Sequence, residues 1–90
     1  MRIRTYENWA RVICHLNGGF LRVEITDSSG DRINMPNFEI PTEKIPKHLL
    51  VIGSRFQLRW SAIWPEHDDT VEEYRIAMAN SFEVIAEGNR

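Results

Sequence analysis

The chain has 90 residues, 42% hydrophobic and 27% charged, with a net charge of −2 and a single cysteine. That length allows one domain, residues 1–90, and the composition excludes a disordered chain, an internal disulfide and a cysteine metal cluster. The charge is uneven: residues 1–59 carry nine Lys or Arg against six Asp or Glu, and residues 60–90 carry two against seven.

No charged-then-apolar leader pattern opens the sequence and no apolar run approaches spanning length, so a cytoplasmic protein without membrane contact is expected. The first element is a hairpin. Asn17-Gly18 separates two apolar runs, and Asn-Gly suits a two-residue turn with positive φ at both positions. That register pairs Leu16 with Gly19, Cys14 with Leu21, Val12 with Val23 and Ala10 with Ile25 on an apolar face. The other face pairs His15 with Phe20, Ile13 with Arg22, Arg11 with Glu24 and Trp9 with Thr26. The Arg11–Glu24 pair of opposite charges supports the register.

Asp27-Ser28-Ser29-Gly30-Asp31 is a turn by composition, and Arg32–Met35 is expected as a short strand with Ile33 and Met35 inward. Pro36 interrupts that strand or puts it at an edge, and Phe38-Glu39-Ile40 resumes the alternation. Residues 43–50 are expected to form a short helical connection across the barrel end. Its apolar group is Ile45, Leu49, Leu50 and Ile52, with Pro46 in a first turn.

Arg55–Trp64 alternates strictly, with Phe56, Leu58, Trp60, Ala62 and Trp64 on one side and Arg55, Gln57, Arg59 and Ser61 on the other. This is a half-buried strand. The last third supports two assignments. Thr70 and Glu73 fit a capping box, with Val71, Tyr74, Met78, Phe82 and Ile85 at helical spacing up to Gly88. Alternatively, residues 65–69 form a hairpin loop and Tyr74, Ile76 and Met78 alternate along a strand beside the tryptophan strand.

An order of residues carries a resemblance: Trp9; then Leu21, Val23, Ile25 and Asp27; then Glu39-Ile40-Pro41; then Leu49-Leu50; then Gly53-Ser54-Arg55-Phe56 with Trp60. Across residues 9–64 the chain resembles a group of uncharacterised small bacterial β-barrel proteins. It departs from them at Arg11, where a small residue is usual, and at Phe20, an extra bulky residue. The resemblance implies a small all-β barrel whose last strands form a hairpin, which favours strand for residues 72–79. It implies no activity.

Catalytic and metal sites are not expected. His15, His48 and His67 lie in different segments, and Cys14 and His15 point to opposite faces of a strand. His67-Asp68-Asp69 is a solvated acidic loop, and Glu72-Glu73 lacks the burial that acid–base work requires. No Gly-rich phosphate loop is present, so no cofactor is expected.

The expected fold is mainly β: a five- to six-stranded barrel of SH3 or OB size, with residues 71–87 strand or helix. Its core is Val12, Cys14, Leu21, Val23, Ile25, Ile40, Phe56, Leu58 and Trp60. The outward face of the first hairpin, Trp9, Arg11, Ile13, Phe20 and Arg22 with His15, has more aromatic and apolar surface than a solvated face needs. It is covered by the tail or another strand, contacts a protein, or stacks nucleic-acid bases. The expected function is a non-catalytic protein-interaction module, an adaptor or accessory subunit, using those five residues. The alternative is single-stranded nucleic-acid binding on the same aromatic and arginine face. A homodimer through an exposed edge near Pro36 is a third arrangement.

Overall fold

The computed structural model describes residues 2–64, 75–76 and 82–88. Strand β1 (Arg2–Leu16) is flanked by β2 (Phe20–Thr26) on one edge and β4 (Arg55–Trp64) on the other, both antiparallel. Trp9 faces Thr26, Ala10 faces Ile25, Arg11 faces Glu24 and Val12 faces Val23, as the alternation requires.

Past Val12 the expected register fails. A bulge inserts Ile13, so Cys14 faces Arg22, His15 faces Leu21 and Leu16 faces Phe20. The connection is therefore the three residues 17–19, with Gly18 and Gly19 at φ 86° and 80° and, among the described residues, no non-glycine residue at positive φ. A three-residue loop puts the left-handed conformation on the two glycines, where it carries no Cβ penalty, and spares Asn17. The shift also reverses Cys14. It now shares a face with Arg22 and is half-buried rather than a core residue.

Strand β4 alternates as expected, with Phe56, Leu58, Trp60 and Ala62 buried. Its ten pairs with β1 run from Arg2–Trp64 to Arg11–Arg55. Its other edge carries β5 (Arg75–Ile76) opposite Ala62 and Ile63, and β6 (Glu83–Glu87) opposite Phe56–Arg59. Phe82 and Ile85 therefore belong to an extended segment, not to a helix ending at Gly88; the capping box at Thr70 and Glu73 lies outside the described residues. β3 (Phe38–Pro41) pairs β2 and ends the sheet, giving the order β3-β2-β1-β4-β5 with β6 also on β4. Arg32–Met35 is not a strand. Only Arg32 bridges to Thr26, although Ile33 and Met35 do pack against the core.

The sheet curls into a half-barrel around one apolar face. Buried there are Ala10, Val12, Leu21, Val23, Ile25, Phe38, Ile40, Phe56, Leu58, Trp60 and Ala62. Two short 3-10 turns, Thr42–Lys44 and Lys47–Leu49, cross the end of the half-barrel and bury Ile45 and Leu49. Ile52, expected with that group, instead projects and is 62% exposed. Trp60 organises the interior: Tyr6 stacks on it at 4.8 Å, Phe38 meets it edge-on at 4.8 Å, and its Nε1–H donates to Asn8 Oδ1 at 2.8 Å. Phe82 lies 6.1 Å from Phe38.

Phe38→Ala should cost about 3–5 kcal/mol, whereas truncating the surface ring of Phe20 should cost under about 1 kcal/mol. Denaturant unfolding of the two variants measures the difference.

Candidate functional site

The outer face of the sheet is a lattice of cross-strand charges. Glu24 on β2 accepts from Arg11 on β1 at 3.0 Å, and Glu39 on β3 accepts from Arg22 on β2 at 3.1 Å. Arg59 on β4 bridges Glu7 on β1 at 3.2 Å and Glu83 on β6 at 3.4 Å. Alternation puts every one of these residues on the solvent side, and register puts opposite signs beside each other.

A tight loop follows β2. The Asp27 carboxylate accepts the Ser29 hydroxyl at 2.8 Å, the Ser29 N–H at 2.9 Å and the Asp31 N–H at 3.0 Å. The Ser29 hydroxyl first, and then the Asp31 N–H, hold this carboxyl below its ordinary value. Two arginines grip the loop's carbonyls. Arg11 Nη2 donates to Gly30 O, and Arg55 Nη2 donates to Ser28 O at 3.2 Å and Asp27 O at 3.4 Å. Gly30 sits at φ 97°, and a Cβ there would lie 3.0 Å from Arg11 Nη2.

This clamp divides the expected site. The Arg55 guanidinium carbon lies 5.3 Å from the Trp9 ring centroid, and a Cβ on Gly88 would come within 2.9 Å of that ring. Trp9 is thus packed between a β4 side chain and the end of β6, and Arg11 is bound to both Glu24 and the loop. Ile13 is the half-buried bulge residue. Phe20 and Arg22 lie toward the turn end of the hairpin, where Phe20 is 38% exposed. The five residues thus have different surroundings: Trp9 and Arg11 lie in the clamp, Phe20 and Arg22 near the tip.

At the tip, a groove of about 340 Å³ is lined by Gly18, Gly19, Phe20, Pro41, Thr42 and Glu43. The N–H and hydroxyl of Thr42 both donate to Gly19 O, at 2.9 and 3.2 Å, fixing the hairpin to the 3-10 connection. No family model, curated protein or solved structure matches the chain. Its own geometry therefore carries the functional argument. Among the described residues, no group of three or more His, Cys, Asp or Glu is placed to hold a metal ion, and no helix is long and apolar enough to cross a membrane. Pro41, Thr42 and Glu43 had no sequence signal as groove residues, because only the β2–β3 pairing brings them to the hairpin tip.

The folded Asp27 carboxyl lies below its ordinary value of 3.8, so its contribution is complete above that value and fades as pH falls through the folded value. Asp27→Ala should therefore be less stable than the parent near neutrality, and the gap should close in strong acid. Thermal unfolding of both proteins across an acid pH series checks this.

Proposed function

We propose that the protein is a non-catalytic interaction module that presents the tip of its first hairpin to a protein partner. The observation that carries this is the placement of Phe20: a large aromatic ring, partly in solvent, beside a groove of about 340 Å³ whose shape is fixed by backbone and Thr42 hydrogen bonds. Aromatic side chains in preformed apolar hollows are the usual energetic centres of protein interfaces. Arg22 and Glu39 form a polar rim beside it.

The charge lattice weighs against the nucleic-acid alternative. A single-strand platform needs cations free to follow phosphates beside exposed rings. Here Arg11, Arg22 and Arg59 are each bound to a carboxylate, and Arg55 is bound to loop carbonyls and stacked on Trp9.

Phe20→Ala combined with Arg22→Ala should abolish capture of the partner from the native extract without shifting the thermal midpoint by more than about 5 °C. Capture that survives places the interface elsewhere. A labelled oligonucleotide titrated at low salt should not bind; saturable binding with a steep salt dependence would favour the alternative.

A further inference from the structure

The first hairpin is not the only surface with a recognisable occupant. β6 lies on the edge of β4 in the way a peptide lies on a receptor strand. None of Glu83–Glu87 is buried, and the four pairs with β4 are broken by a register shift between Gln57 and Leu58. The opposite edge of β4 carries ten unbroken pairs with β1. With an interrupted ladder and no fully buried residue, Glu83–Glu87 is held to β4 less firmly than β1 is, while Phe82 and Val84 pack against the core.

What holds β6 also defines what that edge selects. The Phe82 ring is buried beside Phe38. Glu83 reaches Arg59 at 3.4 Å and Glu87 pairs with His48, so a carboxylate marks each end of the strand. Next, the Gly88 N–H donates to Arg55 O at 2.9 Å, at a position where a Cβ would run into Trp9. The edge thus takes an extended chain with an aromatic ring, then an acidic residue, three apolar or small residues, a second acidic residue and a glycine.

We propose that the β4 edge from Phe56 to Arg59 is a docking groove for an extended acidic peptide of a protein partner, with β6 as its resident, displaceable occupant. The partner's strand adds by main-chain hydrogen bonds, and Arg59 and His48 read its carboxylates. This site lies across β1 from Phe20 and does not depend on the hairpin tip.

The test is a titration of the isotope-labelled full chain, followed by amide NMR, with a peptide spanning residues 82–88. An otherwise identical peptide with Glu83→Lys and Glu87→Lys serves as control. Because a tethered strand competes at an effective concentration of about millimolar, saturation is expected only in the millimolar range. The acidic peptide should shift the amides of Phe56–Arg59, Val84–Glu87 and the Trp9 indole, and high salt should weaken it roughly fivefold. Oxidised Gln57→Cys with Ala86→Cys, in a Cys14→Ser background, pins β6 and should remove every shift; Phe20→Ala should change none. Should the disulfide variant misfold, Arg59→Glu replaces it and should reverse the preference toward the lysine peptide. No shifts up to about 5 mM peptide, equal shifts with the lysine peptide, or unchanged shifts in the pinned or Arg59→Glu chain would overturn the proposal.

Discussion

The curl of the sheet depends on the contact between Phe38 and Trp60. These rings come from β3 and β4, which are separated in the sheet by β2 and β1, yet they meet edge-on at 4.8 Å. A single sheet with one apolar face has no second layer to bury it, so it must fold that face onto itself. Trp60 gives the bend a fixed end point, stacked on Tyr6 and donating to Asn8, so neither its body nor its polar edge is wasted. Phe82 and the 3-10 connection with Ile45 and Leu49 then close what the strands leave uncovered.

Much of this architecture was legible because a two-residue period with one buried face leaves little freedom. Phe56, Leu58, Trp60 and Ala62 could not be placed otherwise, and Arg11 opposite Glu24 marked the register of the hairpin from Trp9 to Val12. The bulge was invisible for the opposite reason. Ile13, Cys14 and Leu16 are all apolar, so either phase of the alternation looks acceptable until the turn imposes one. The first half of β1 was equally silent, because its inward positions include Tyr6 and Asn8, whose places make sense only beside Trp60. For Arg32–Met35, alternation gave a strand, yet the segment bonds its neighbour only through Arg32 and the Ile33 N–H.

The candidate site was legible as a face but not as an interface. Sequence alternation correctly gathers Trp9, Arg11 and Arg22 on the outer side, and it cannot say what else arrives there. Arg55 reaches Trp9 across the β1–β4 pairing, and Gly88 reaches it from just past β6, 79 residues away in the sequence. Once they arrive, the aromatic and arginine residues that suggested a stacking platform are largely satisfied by one another. The charge lattice has the same effect among the described residues of the outer face: pairs of this kind add little stability each, and their consequence is that Arg11, Arg22 and Arg59 are each claimed by a carboxylate.

The bulge at Ile13 separates two kinds of constraint along one hairpin. At Ala10 and Val12 the inward side chain fills space in the core, and change there is limited by volume. Beyond the bulge the phase is broken, and none of residues 14 to 20 is fully buried; they are held by the ladder to β2 and β3, by the His15–Leu50 carbonyl hydrogen bond and by the Thr42 hydrogen bonds to Gly19. Away from Gly18 and Gly19, side chains in that stretch are less limited by core volume than those before the bulge. Its outline can therefore drift to suit new partners over evolutionary time while the half-barrel beneath it stays the same.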